Sequence, residues 1–147
     1  MADVAHTFLL KEGLWRTEGE FLDGMGKATA VQGEAQIRHH PDQWLYEGVM
    51  RVAGNPPVEH RTVYEIVPLA PGNFATAWTS KSAAFGTLHG RFIFVGDVIL
   101  SAYESATGRY RGQDTIIRRD DKRYSARGAL LDGGKLLSAW RIELSQP

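Results

Sequence analysis

The stretch that decides the fold is residues 13–21, Gly13-Leu14-Trp15-Arg16-Thr17-Glu18-Gly19-Glu20-Phe21. From Trp15 onward, every second residue is uncharged, and each residue in between carries a charge. Successive side chains of a β-strand point to opposite faces, so this alternation predicts a strand with one enclosed face and one face in water. Trp15 and Phe21 belong to the enclosed face.

The same alternation recurs along the chain, and turn-forming Gly, Pro, Asn and Asp residues separate one stretch from the next. The ten predicted strands are Leu14–Leu22, Lys27–His39, Gln43–Ala53, Val58–Leu69, Asn73–Thr79, Phe85–Val95, Val98–Ala106, Arg109–Arg119, Arg123–Leu131 and Lys135–Leu144. Short turns join chain neighbours into an up-and-down meander, which closes into a barrel. The 147 residues show no break in composition, so we expect a single domain over 1–147.

The segment before the first strand, Asp3–Lys11, is predicted to form one or two helical turns. Ala5, Phe8 and Leu9 share one side of these turns and are expected to plug one end of the barrel. The predicted fold class is therefore all-β: a single antiparallel up-and-down barrel of about ten strands with a short N-terminal helical turn.

Composition excludes several classes of function. The chain has no cysteine, which excludes disulfides, thiolate metal sites and a cysteine nucleophile. Its 17 basic and 17 acidic residues give a net charge of zero, so we expect neither a nucleic-acid nor a membrane partner. No apolar run is long enough to span a bilayer, and the first residues lack the regions of a secretory signal. We therefore expect a cytoplasmic, bacterial-type setting.

Basic residues concentrate between Arg109 and Arg127, where acidic residues are interleaved with them. We interpret this stretch as outward strand faces that compensate their own charge, and a patch for an anionic ligand is the alternative. His89 and Arg91 fall on another outward face. They are interpreted as solvated residues or as a contact in a homodimer.

Gly13-Leu14-Trp15, directly after the N-terminal turn, resembles the Gly-x-Trp signature of the lipocalin and calycin barrels. In those families the Trp packs across the closed end of the barrel, and the resemblance implies that place for Trp15. The longer stretch 13–20 is similar to the opening of nitrobindin-type haem barrels and of small uncharacterised lipocalin-like bacterial domains. The resemblance implies a barrel with a ligand site inside.

The resemblance does not extend to a cofactor. Nitrobindin-like proteins place the haem-ligating His in the closing strand, whereas Lys135–Leu144 contains no His and has Trp140 near that depth. We therefore expect no haem and no other cofactor. The run His39-His40-x-Asp42 has metal-ligand residue types, but adjacent side chains on a strand point to opposite faces, so we predict a turn and no metal site.

The uncharged parity of each strand defines the predicted interior. In the seventh strand we place Ser101 and Tyr103 inside because this choice keeps Glu104 in water. The open rim is predicted to be apolar and aromatic, with Trp78 among its members, and inward glycines are expected to leave room in the lumen. The predicted ligand-binding residues are Met50, His60, Tyr64, Trp78, Leu88, Phe92, Tyr103, Asp114 and Trp140.

These residues favour binding of a small hydrophobic or aromatic molecule in the lumen, and two other interpretations stay open. His60 and Asp114 are candidate catalytic residues, because a base and an orienting carboxylate in one cavity suit an isomerase, cyclase or hydratase-type reaction. The two side chains equally suit a satisfied polar network in the core. In the third interpretation the side chains fill the barrel and its role is structural.

Overall fold

The computed structural model describes residues 5–147, which form a closed barrel of ten antiparallel strands. The strands are β1 (Gly13–Asp23), β2 (Ala28–His39), β3 (Trp44–Val52), β4 (Val58–Ile66), β5 (Ala75–Ser82), β6 (Gly86–Val95), β7 (Val98–Ser105), β8 (Tyr110–Asp120), β9 (Arg123–Asp132) and β10 (Lys135–Ser145). Each strand pairs with its chain neighbours, and β1 also pairs with β10. The predicted all-β up-and-down barrel is confirmed. The described residues include no helix that could cross a membrane.

The predicted strand ends differ by more than two residues only around β4 and β5. β4 ends three residues early, at Ile66, and Pro68, which has no amide hydrogen for a sheet, follows it. β5 continues three residues further than predicted, to Ser82. The Ser82 hydroxyl accepts hydrogen bonds from the backbone N–H groups of Ala84 and Phe85, which places the hairpin turn there.

The N-terminal segment closes one end of the barrel. Asp3, where the predicted helical turn begins, lies outside the described residues, and residues 8–10 form a turn rather than a helix. Phe8 and Leu9 are buried as predicted, whereas Ala5 is exposed. Trp15 is fully buried beneath Phe8, with the two rings edge-on at 5.4 Å between centroids. The predicted closed-end position of Trp15 is confirmed.

The buried residue that fixes this plug is His6. Its Nε2–H donates to the carbonyl oxygen of Gly96 over 2.8 Å, and its Nδ1 accepts from the Tyr124 hydroxyl over 2.9 Å. The same hydroxyl accepts the backbone N–H of Thr7 over 3.1 Å. Burial lowers the pKa of His6, because the neutral ring suits this site better than the charged one.

The inward faces are those predicted from the alternation. In β1, Trp15 and Thr17 are buried while Arg16 is exposed, and in β7, Ser101 is buried while Glu104 is exposed. Burial also differs along the barrel axis, and we use this difference to divide the barrel into two halves. The closed half contains the buried inward residues beneath the N-terminal turn: Trp15, Ile37, Ile99, Tyr124 and Leu144. The open half contains partly buried or exposed inward residues: Phe21, Met50, His60, Tyr64, Tyr103 and Trp140.

One seam of the barrel is incomplete. β4 and β5 pair only through Glu65 with Thr79 and Ile66 with Trp78, near the closed half. The rest of β4, from Val58 to Tyr64, pairs with β3 and has no strand partner on its other side. The open half is therefore split along its side between β4 and β5.

The outward arginines are mostly paired with carboxylates, which confirms the predicted self-compensating faces. Arg109 forms two hydrogen bonds with Asp132, each of 3.0 Å. Further pairs join Arg111 to Glu104, Arg118 to Asp121, Arg123 to Asp120 and Arg127 to Glu143. Arg118, which pairs across the sheet with the buried Tyr124, is the exception, because its side chain is only 25% exposed. The other arginines are largely solvated, so their pairs add little to stability and serve to balance charge.

Candidate functional site

Asp114 is a carboxylate whose side chain points into the lumen of the barrel. It lies on the inward face of β8, opposite Ser101 of β7 on one side and Gly128 of β9 on the other. Trp140, the next inward residue beyond Gly128, donates its indole N–H to Oδ1 of Asp114 over 2.6 Å. The two side chains meet directly over Gly128, where a Cβ atom would clash with both of them. The glycine therefore makes this contact possible.

Three inward glycines, Gly90, Gly112 and Gly128, do not leave the empty room that the sequence predicted, because aromatic rings from neighbouring strands cover them. The Trp78 ring lies over Gly90, and the Tyr103 ring lies over Gly112. Trp78 is also buried rather than at the open rim, and its indole N–H donates to Ser101 over 3.1 Å. The aromatic rings thus line the wall of the lumen and narrow it.

Three tyrosines face Asp114 from the other strands: Tyr46 on β3, Tyr64 on β4 and Tyr103 on β7. Tyr46 and Tyr64 stack with 5.0 Å between ring centroids, and Tyr64 lies 4.5 Å from the centroid of Trp78. We refer to Asp114, Tyr46, Tyr64, Tyr103 and Trp140 as the Asp114 cluster.

The three tyrosine hydroxyls of the Asp114 cluster form no hydrogen bond within residues 5–147. In this part of the chain, the only fully enclosed side-chain N and O atoms without a partner are Nε1 of Trp15 and Nε of Arg118. The chain therefore does not fully enclose the three tyrosine hydroxyls. Polar groups left unpaired in this way are the groups that a bound molecule can satisfy.

The electrostatics of the Asp114 cluster follow from an uncompensated carboxylate. Burial raises the pKa of the Asp114 carboxyl to about 6, and the hydrogen bond from Trp140 acts in the opposite direction. Burial and then the charge of Asp114 raise the pKa of Tyr46 to about 12. The same two causes, in the same order, raise the pKa of Tyr64 and of Tyr103. Near neutral pH the cluster is one carboxylate among neutral phenols.

The structure brings only some of the predicted site residues together. Phe92, Asp114 and Trp140 lie on one cross-strand row, through Ser101 and Gly128. Met50 pairs with His60, and His60 is exposed on the part of β4 that lacks a second partner. His60 makes no hydrogen bond with Asp114 within the described residues. Leu88 is partly buried against the aromatic core.

The uncharged parity of the third strand, in which Tyr46 lies on the face opposite Glu47, also places Tyr46 inside the barrel. The predicted site nevertheless left out Tyr46, and it left out Ser101 as well. Both residues have the correct parity, so periodicity could have found them. The missing information is the register, because Tyr46 joins the cluster only through its pairing with Tyr64. Ser101 joins it only through its pairing with Asp114.

A separate concavity of about 590 Å³ lies on β10, β1, β2 and β3, away from the Asp114 cluster. Its charged lining residues point outward, and its arginines are already paired. Arg51 forms hydrogen bonds of 2.7 and 2.6 Å with Glu34, and Arg141 lies 3.4 Å from Glu20. The unpaired polar groups of the lumen make the Asp114 cluster the stronger candidate site.

Comparison with known proteins yields one structural match. No protein-family model matches this chain, and no curated protein matches it by sequence. The chain is similar in structure to the S-type phycobiliprotein lyase CPES from Guillardia theta, with a TM-score of 0.67. The match covers 94% of this chain and 89% of that one, at 9% sequence identity. At this identity the match shows the fold alone, a closed antiparallel barrel of ten strands.

Proposed function

We propose that this protein binds a small aromatic or apolar molecule in the open half of its barrel, at the Asp114 cluster. The observation that carries the proposal is a set of three tyrosines that lie near enough to Asp114 to feel its charge and whose hydroxyls have no hydrogen-bond partner in the described residues. Rings provide the apolar contact area, and the hydroxyls and carboxylate orient the ligand. The structural neighbour, a phycobiliprotein lyase, is built on the same kind of barrel.

The arrangement favours a binder over the acid–base enzyme that His60 and Asp114 suggested. A general base needs a position within hydrogen-bond reach of the group it serves, and it needs a partner that orients it. His60 is exposed on β4, and the hydrogen-bond partner of Asp114 is Trp140. Asp114 alone remains available for proton transfer. The function that the contacts support is therefore orientation of a bound molecule.

The test is a fluorescence titration with N-phenyl-1-naphthylamine, a neutral apolar dye. We expect saturable binding of one dye per barrel. Gly112→Val is expected to weaken binding by about tenfold or more, because the new side chain displaces the Tyr103 ring into the lumen. The matched control is Gly134→Ala, because a Cβ at Gly134 meets no atom within 4 Å.

A structural barrel without a ligand site gives a different result. In that case the dye shows no saturable binding, or Gly112→Val binds it as well as the native protein does. Circular dichroism spectra of both variants must match the native spectrum before affinities are compared. Native mass spectrometry of the purified protein then asks whether a small molecule is retained.

A further inference from the structure

We infer that the Asp114 cluster selects an organic cation, specifically an ammonium group carried on an aromatic or apolar skeleton. This inference rests on the proposed lumen site and assigns the chemical class of its ligand. The observation behind it is an inward carboxylate that accepts the Trp140 indole N–H and has no basic side chain acting on it. The Tyr103 ring lies over Gly112 beside this carboxylate, and ring contacts connect Tyr103 through Trp78 to Tyr64 and Tyr46.

Asp114 and its environment provide a carboxylate, hydroxyl oxygens and aromatic rings, which are the groups that bind an ammonium ion. Its facing groups are Tyr46 from β3, Tyr64 from β4, Tyr103 from β7 and Trp140 from β10. None of them carries a positive charge. An ionised carboxylate in a poorly solvated lumen attracts a positive partner strongly, because water screens the interaction less there.

The acceptors around the carboxylate point to the same ligand. An ammonium N–H can donate to the Asp114 carboxylate and to the oxygens of the tyrosine hydroxyls, which have no partner in the described residues. Aromatic rings add attraction, because the face of a Tyr or Trp ring carries negative electrostatic potential. An anionic ligand meets the opposite conditions, since it is repelled by Asp114 and finds no basic group in the cluster.

A metal ion fits the site less well than an ammonium ion. Residues 5–147 contain no group of three His, Cys, Asp or Glu side chains that could hold a metal. Asp114 gives a single carboxylate, and one of its oxygens already accepts the Trp140 N–H over 2.6 Å. Hard cations prefer six or more oxygen ligands, whereas an ammonium group needs only a few acceptors and an apolar wall.

The experiment compares three naphthalenes that differ in one substituent: 1-naphthylmethylammonium, 1-naphthalenemethanol and 1-naphthoate. Calorimetric titrations are run near pH 8, where Asp114 is ionised. We expect the ammonium compound to bind at least about tenfold more tightly than the alcohol, and the naphthoate to bind most weakly. In Asp114→Asn the preference for the ammonium compound is expected to fall to about one. The control Asp42→Asn removes an exposed carboxylate and is expected to keep the preference.

The native protein gives a second readout that needs no variant. Near pH 5 most Asp114 carboxyls are protonated, whereas the phenols of the nearby tyrosines are neutral at both pH 5 and pH 8. The ammonium preference is therefore expected to fall by about tenfold from pH 8 to pH 5. If the alcohol binds as tightly as the ammonium compound at both pH values, the inference is overturned and the lumen site stands. If none of the three compounds binds, both the inference and the lumen site are overturned.

Discussion

The closed and open halves of the barrel use buried tyrosines in opposite ways. In the closed half, the Tyr124 hydroxyl donates to His6 over 2.9 Å and accepts the backbone N–H of Thr7 over 3.1 Å. In the open half, the hydroxyls of Tyr46, Tyr64 and Tyr103 have no partner within the described residues. The first arrangement locks a segment of chain in place. The second leaves hydrogen-bonding capacity for something outside the chain.

The two halves also differ in how they hold titratable groups. His6 in the closed half has two hydrogen-bond partners that suit its neutral form. Asp114 in the open half has one donor and no countercharge among the groups that face it. A carboxylate held in this way destabilises the fold, and such a cost is commonly found at functional sites. The comparison therefore separates residues that stabilise the barrel from residues that are available to bind a ligand.

The largest expected effect is on the closed half. Trp15→Ala is expected to lower the free energy of unfolding by about 3–5 kcal/mol, because the fully buried indole packs against Phe8 and Tyr124. Urea unfolding followed by circular dichroism measures the change. The control Leu14→Ala, on the exposed face of β1, is expected to change it by less than about 0.5 kcal/mol. A loss below about 1 kcal/mol for Trp15→Ala would contradict the packed closed half.

In the open half, removal of the carboxylate is expected to raise the free energy of unfolding rather than lower it. Asp114→Asn is expected to raise the free energy of unfolding near pH 8 by up to about 3 kcal/mol, since burial raises the pKa of Asp114 to about 6 from 3.8. Asp114 is only partly buried, and screening by solvent reduces this figure, so it is an upper value. Urea unfolding measures it, with Asp42→Asn as the control. A clear loss of stability near pH 8 would show that the carboxylate supports the fold.

The two halves also differ in how their contributions to stability change with pH. The pKa of Asp114 is raised in the folded protein, so its destabilising effect disappears as the pH falls from about 6 towards 3.8. The pKa of His6 is lowered by burial, so its contribution to stability is present above 6.5 and is lost as the pH falls below that value. We expect the stability difference between Asp114→Asn and the native protein to fall to about 0.5 kcal/mol near pH 4. A constant difference would contradict the buried charge.

A third change tests the close packing around the candidate site. Gly128→Val is expected to cost about 1–3 kcal/mol, because the new side chain must displace Asp114 and Trp140. We also expect a changed Trp fluorescence spectrum, since the indole N–H of Trp140 loses its carboxylate partner. Gly134→Ala is the control, because open space surrounds that glycine. An unchanged spectrum and stability for Gly128→Val would show that Trp140 does not lie over the glycine.

Much of the fold could be predicted because alternation encodes which face of a strand is enclosed. The interior of β7 was assigned correctly from one consideration, that Glu104 belongs in water. The end of β5 was predicted wrongly, because the turn there depends on hydrogen bonds of the Ser82 hydroxyl rather than on Gly or Pro spacing. Local chemistry of this kind has only a weak sequence signal.

The sequence predicted which side chains of the candidate site point into the barrel, but it did not predict the contacts between them. Parity placed Asp114 and Trp140 inside, and the hydrogen bond between them follows from a register that alternation does not determine. His60 has the correct parity, yet it is exposed because β5 does not extend along that part of β4. The inward glycines were expected to leave space, and at Gly90, Gly112 and Gly128 the rings of neighbouring strands occupy it.

A fourth prediction compares single hydroxyl groups in the two halves. Tyr124→Phe is expected to cost about 1–1.5 kcal/mol, because it leaves His6 and the Thr7 N–H without their partner. Tyr46→Phe is the matched variant and is expected to stay within about 0.5 kcal/mol of the native protein, since its hydroxyl has no partner within the described residues. Urea unfolding measures both. Equal losses would show that the Tyr46 hydroxyl is also held by the fold.

The smallest expected effect concerns haem. That the barrel binds no haem is so far a prediction from the sequence. β10 contains no histidine, and Trp140 from that strand lies against Asp114 instead. His60 is the inward histidine of β4, and its exposure near the split side of the barrel gives it no fixed position over the lumen. Titration with ferric haem is therefore expected to give no sharp Soret band at one equivalent. A sharp band that is lost in His60→Ala and kept in His89→Ala, an exposed outward control, would show that the open half is a haem site.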